Sequence, residues 1–160
     1  MQRQLGFSLI EVMIALVILT IGILGMAKLQ VTGIQQNQSA YMRSQANLLA
    51  YDIIDRMRVN RDAIDSYLQV SSGTAEADCL ASTGCSETEM AAHDLSEWFA
   101  TITRELPSGS GIVCRSDKAG DANGAPDCEG NSTDNPIVVY LWWDDDRDGS
   151  VTQLTVSAEL

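Results

Sequence analysis

The stretch Gly6-Phe7-Ser8-Leu9-Ile10-Glu11 opens an apolar run that lasts to Ala27 and contains one charged residue, Glu11. At about 1.5 Å per helical residue, Phe7 to Ala27 covers roughly the 30 Å thickness of a bilayer's hydrocarbon core. A carboxylate inside such a helix costs about 2.5–3.5 kcal/mol at mid-span on insertion scales, so it marks function and calls for a partner. The nearest partner is an amine. A polar leader, Met1 to Gly6 with Arg3 as its only charged side chain, switches abruptly to Phe7, and a cut after Gly6 creates that amine. Two plainer readings compete. In an ordinary secretory signal cut at Gly25-Met26-Ala27, the interior Glu11, the long run from Val12 to Ala27 and the single-Arg n-region all fit poorly. A plain membrane anchor accounts for the length and leaves Glu11 unexplained.

Gly-Phe-Ser-Leu-Ile-Glu followed by a long apolar helix resembles the class III signal of type IV pilins and pseudopilins. The resemblance implies that a prepilin peptidase cuts between Gly6 and Phe7 and N-methylates Phe7. It also implies that Glu11, five residues into the mature chain, is the counter-charge for the Phe7 ammonium of a neighbouring subunit. The chemistry agrees, because two charges that hydrocarbon or a filament core would leave unpaired satisfy each other. The segments this implies are a leader over 1–6, a transmembrane and filament-core helix over 7–27, and a head over 28–160 that includes the amphipathic half of the long helix.

Composition bounds the rest. At 160 residues the chain is one domain's worth, and about twenty residues go to the span, so the globular part is small. The net charge of -12, which becomes -13 when Arg3 leaves with the leader, argues against direct contact with a nucleic-acid backbone. Cys79, Cys85, Cys114 and Cys128 all follow the span, an even count in polar loops that suits disulfides in an oxidising compartment. Sequence alone does not choose among the three pairings they allow. Loop chemistry favours Cys79 with Cys85 and Cys114 with Cys128, since each pair closes a segment dense in turn residues. Zinc fits less well, because no Cys-x-x-Cys occurs and His93 is the single histidine.

No proline interrupts the chain before Pro107, and Met42, Ala46, Leu49, Ile53, Met57, Ile64 and Leu68 keep helical spacing, so the long helix is expected to continue past Lys28. Many pilins have a proline near that point; this chain does not. Gly22, Gly25 and Gly33 each weaken the helix by about 1 kcal/mol relative to alanine. Arg56, Arg58 and Arg61 are read first as partners of nearby acids (Asp52, Asp55, Asp62 and Asp65), and alternatively as contacts for an acidic neighbouring subunit. Their segment, Ile54 to Arg61, resembles the Arg-Met-Arg-x-Asn-Arg signature of PilV-type minor pilins, as does Asp94-Leu95-Ser96-Glu97-Trp98 ahead of Leu106-Pro107.

Ser86-Glu87-Thr88-Glu89 with Met90, Leu95, Trp98, Phe99, Ile102 and Leu106 predicts a second, shorter helix ended by Pro107-Ser108-Gly109. Trp98 and Phe99 read as core, His93 as a surface or cap residue. Gly111 to Cys114, Ile137 to Trp143 and Val151 to Val156 predict three antiparallel strands. Between the last two, Asp144, Asp146 and Asp148 match the first half of an EF-hand loop, but Thr155 stands where the bidentate glutamate belongs. A hairpin turn at Asp148-Gly149 is the plainer reading; calcium on those three carboxylates is the other.

The expected fold is α+β, a type IV pilin fold whose long N-terminal helix, its first half transmembrane, packs on a small antiparallel sheet with a short second helix. The resemblance implies a minor pilin of the inner-membrane complex that primes type IV pilus assembly and can enter the pilus tip. Implied partners are prepilin peptidase, other minor pilins, the major pilin and the inner-membrane assembly platform. The N-terminus would be cytoplasmic and the head periplasmic until the chain enters the pilus. One rival is a type II secretion pseudopilin; a rival of another class is a membrane-anchored, calcium-dependent adhesin or binding domain. No nucleophile–base spacing, Gly-x-Ser-x-Gly or phosphate-cradling loop occurs, so an enzyme is not expected, nor any cofactor beyond that possible calcium.

Overall fold

A computed structural model of the chain describes residues 8–117, 126, 128, 135–147 and 149–160. Helix α1 runs over Leu9–Val59, 51 residues, and the glycines at 22, 25 and 33 do not interrupt it. Two 3-10 turns follow, Arg61–Tyr67 and Ala77–Leu80, then helix α2 over Glu87–Glu105. Strands β1 (Ser110–Arg115), β2 (Ile137–Asp144) and β3 (Val151–Ala158) complete the α+β fold. The chain divides into two compact units, Met1–Gln38 and Ser39–Leu160.

In the first unit every large apolar side chain from Leu9 to Ile34 is 48–78% exposed. A helix apolar on all sides is made for hydrocarbon or for other helices. Thr20 and Thr32 donate their hydroxyls to the carbonyls of Val17 (2.8 Å) and Lys28 (3.1 Å), so neither presents an unmet donor to an apolar medium.

In the second unit α1 turns one stripe inward. Met42, Ala46, Leu49, Ala50, Ile53, Ile54 and Met57 are buried, at helical spacing, in one core with Ala91, Leu95, Trp98 and Ile102 of α2 and with Val113, Val139, Leu141 and Trp143 of the sheet. Trp98 bears out its reading as core: it is 1% exposed, and its indole Nε1 donates to the Leu49 carbonyl at 2.8 Å. A capping box starts α2, with the Ser86 hydroxyl accepting from the Glu89 N–H (3.3 Å) and the Glu89 carboxylate accepting from the Ser86 N–H (2.8 Å).

The stripe leaves α1 earlier than its spacing predicts. The helix ends at Val59; Asn60 takes φ -111°, ψ 53°, and Ile64 and Leu68 reach the core from the 3-10 turn and the residue after it. The cause is a tertiary bond: the Asn60 amide Nδ2 donates to the Glu87 carbonyl at 2.7 Å and to the Tyr67 hydroxyl at 3.2 Å, tying the helix end to the start of α2.

The sheet is an antiparallel meander in the order β1-β2-β3, with Val113 opposite Val139 and Leu141 opposite Leu154. Central β2 is buried on both faces. Val139, Leu141 and Trp143 enter the main core, whereas Val138 and Tyr140 join Cys114, Ile112, Trp142 and Cys128 in a second cluster. That two-faced burial is why β2 reads as a continuous apolar run rather than an alternating one.

Candidate assembly site

Glu11 lies in the first turn of α1, where the Ser8 carbonyl accepts the N–H groups of Glu11 (3.0 Å) and Val12 (3.3 Å). A carboxylate there meets the positive end of the helix dipole, which offsets part of its cost. Its neighbours Leu9, Ile10, Val12 and Met13 are exposed apolar side chains. Among the described residues no cation reaches ion-pair distance of Glu11. Gly6 and Phe7 lie outside the described residues, and with them the expected Phe7–Glu11 pairing. By length and composition α1 can cross a membrane.

The arginines divide. Arg58 pairs with Asp55 on its own helix (2.7 Å), and Arg56 Nε with Asp52 (3.1 Å), as local pairing predicts. The stronger ties of Arg56 come from α2: Nη1 donates to Asp94 Oδ1 at 2.9 Å and to Glu97 Oε2 at 2.8 Å. Asp94 Oδ2 accepts the Tyr67 hydroxyl at 2.6 Å. Partial burial works against the Arg56 charge, but the hydrogen bonds to Glu97 and Asp94 and the Asp52 carboxylate outweigh it, so its pKa lies above the ordinary guanidinium value. Burial first, then the bond to Asp94, pushes the Tyr67 phenol up as well. Nothing in local spacing announces this network, since Asp94 is 38 residues from Arg56. Arg61 is exposed and makes no ion pair among the described residues.

His93 is not the surface residue its sequence context suggests. It is 7% exposed, and its Nδ1 accepts the Glu76 backbone N–H at 3.1 Å, fastening the segment before the second 3-10 turn onto α2. Disulfides join Cys79 to Cys85 and Cys114 to Cys128, with Cα separations of 4.7 and 5.5 Å.

In the acidic turn, Asp144 Oδ2 accepts the Gly149 N–H at 3.1 Å. Asp145 accepts from Trp143 Nε1 at 3.2 Å through Oδ1 and from the Ser39 hydroxyl through Oδ2. These carboxylates close a hairpin and seat it on α1. Asp146 is exposed, and Asp148 lies outside the described residues. Among the described residues no three His, Cys, Asp or Glu side chains gather as a metal-binding group.

Comparison with known proteins places the N-terminal segment in a family. Residues 1–27 match the model of the prokaryotic N-terminal methylation motif, and residues 28–96 match that of the Tt1218-like type IV pilins. No curated protein and no solved structure matches the chain. The two family matches adjoin without a gap and run through α1 into α2, on a pilin-like α+β fold. The chain therefore carries a prokaryotic N-terminal methylation motif and, over residues 28–96, is similar to Tt1218-like type IV pilins.

Proposed function

We propose that this chain is a minor pilin of the PilV type, acting in the inner-membrane complex that primes type IV pilus assembly. After a cut behind Gly6, the methylated ammonium of Phe7 pairs with Glu11 of the adjacent subunit, and burial of α1 against its neighbours drives the chain into the assembly. The observation that carries this reading is a lone carboxylate at the head of an exposed apolar helix, within the segment that matches a methylation motif. Burying that helix alone would leave a charge without a partner, whereas burying it beside a processed neighbour supplies one. The pilin family is structural, and the disulfide-tied head is what remains outside the membrane to meet other subunits. A low-abundance priming role follows from the PilV-like residues around Arg56 and Trp98.

The test is the intact mass and N-terminal sequence of the protein purified from its own membrane, with its co-purifying proteins. An N-methylated Phe7 together with other minor pilins supports the reading. A start at Lys28 or an uncut Met1 removes it, and a methylated Phe7 with secretion-system components assigns the chain to that machine instead.

A further inference from the structure

The two edges of the sheet are treated differently. The outer edge of β1 is met by the chain after the first 3-10 turn: Gln69, turned by a φ of 55°, donates its N–H to the Val113 carbonyl at 2.7 Å and its side-chain amide to the Cys128 carbonyl at 3.3 Å. Among the described residues the outer edge of β3 has no such cover. All eight residues of Val151–Ala158 register with β2, and among the described residues no other backbone bond reaches them. Every second N–H and C=O of β3 therefore points away from the sheet.

Proteins guard open edges with charge, proline, bulges or short length. The sequence Val-Thr-Gln-Leu-Thr-Val-Ser-Ala has none of these, in a chain that is 20% charged. The core is also open on this side. Ile137, Val139 and Leu141 of β2 are 0–1% exposed, whereas their register partners Ala158, Val156 and Leu154 pack on the same core and stay only partly buried. The charges at both ends of the uncharged strand are mainly acidic: Asp144, Asp145, Asp146 and Asp148 outnumber Arg147 before it, and Glu159 follows it.

The geometry points to the outer edge of β3 as a docking site for an extended segment of another protein, added antiparallel as a fourth strand. That segment is uncharged in its middle, apolar at every second position so as to cover Leu154 and Val156, and basic at its flanks. Main-chain hydrogen bonds supply affinity, and the alternating side chains and end charges supply choice. A second copy of this chain is the wrong occupant, because antiparallel β3–β3 pairing sets the acidic turn of each copy beside Glu159 of the other. The inference does not depend on which machine α1 joins.

The experiment is backbone amide exchange of the full-length protein in detergent micelles, alone and with a nine-residue probe of alternating threonine and valine between terminal lysines. A matched peptide with a central proline is the control. We expect the lysine-flanked probe to slow exchange over 151–158 at least tenfold, and the proline peptide to leave it unchanged. Val151→Lys, at a site 66% exposed, should weaken probe binding at least fivefold without moving the melting temperature. The proposal is overturned if no peptide slows exchange, if β3 alone is already as protected as β2, or if sedimentation shows the protein pairing with itself through β3.

Discussion

Arg56 on α1 and Asp94 on α2 are joined at 2.9 Å, and the same carboxylate takes the hydroxyl of fully buried Tyr67 through its other oxygen at 2.6 Å. One aspartate thus anchors three elements. Removing it leaves Tyr67 without its acceptor and Arg56 with only its outer partners, Asp52 and Glu97. An unmet buried hydroxyl costs about 1–3 kcal/mol, and breaking a buried pair about 3–5; with half-exposed Glu97 still present, we expect Asp94→Ala to destabilise by about 2–4 kcal/mol. Urea unfolding of the full chain in detergent measures this. Arg58→Ala, which loses only the exposed pair with Asp55, should cost under about 1 kcal/mol.

Acid should loosen the head through two glutamates. Bonds to Arg56 hold Glu97 below its usual pKa, and bonds to the Ser86 side chain and backbone do the same for Glu89. A carboxylate depressed in the fold contributes stability above its unfolded pKa of about 4.3 and loses it as pH falls through the folded value. Tyr67 is raised, so its contribution is complete below about pH 10 and is lost as pH climbs past the folded value. Melting temperature against pH should therefore be flat at neutrality and fall at both ends. The Glu89→Gln, Glu97→Gln double variant should flatten the acid limb, and an unchanged slope would show that other groups carry it.

Gly73 is where backbone touches backbone. A Cβ there would collide with the Ser96 nitrogen and lie 2.5 Å from the Ala92 carbonyl oxygen, backbone atoms of α2, and the next residue, Thr74, donates its N–H to that oxygen at 3.1 Å. Gly73→Ala should lower the melting temperature by several degrees, the effect of 1 kcal/mol or more in a domain of this size. Gly33→Ala is the control, with nothing within 4 Å of the added carbon, and should be neutral or stabilise α1 by up to about 1 kcal/mol.

What could be read beforehand and what could not follow the range of the interactions. The long apolar helix, the Ser86–Glu89 cap and the three strands are local patterns, each visible in a window of ten to twenty residues. The end of α1 at Val59, the burial of His93 and the need for glycine at position 73 are each set by contact with α2. In the sequence Asn60 continues a helical period, and Ser71-Ser72-Gly73-Thr74 looks like any linker. The arginines show both cases at once, since Asp52 and Asp55 were within local reach while Asp94 and Glu97 were not. Of the residues proposed for assembly, Glu11 stands out because a charge in an apolar run needs no tertiary information to be noticed.

The two disulfides should differ in weight. The Cys114–Cys128 bridge closes a separation of 14 residues, and Cys114 is fully buried on β1 in the cluster with Val138 and Tyr140. The chain-entropy relation assigns it about 3 kcal/mol, against about 2 for the separation of 6 between Cys79 and Cys85. Replacing Cys114 and Cys128 together by serine should shift the urea midpoint more than replacing Cys79 and Cys85, because it also places hydroxyls in an apolar cluster. Equal shifts would mean that neither the longer loop nor the buried setting of Cys114 sets the two bridges apart.

Glu11 separates insertion from assembly. Glu11→Ala removes a charge from an apolar helix, so membrane insertion should become no harder, and the sequence up to Phe7 that the peptidase would meet is unaltered. Assembly is another matter, because in the proposed pairing the Phe7 ammonium of the neighbour loses its counter-charge in a medium where an unpaired ion costs several kcal/mol, and 1.4 kcal/mol is already tenfold in an equilibrium. The variant should therefore accumulate in the membrane at the wild-type level with a processed, methylated Phe7, while its recovery with partner pilins falls at least tenfold. Glu11→Asp, which keeps the charge on a shorter arm, should recover part of the loss. Wild-type recovery of Glu11→Ala would rule out charge pairing and leave helix burial alone to drive assembly.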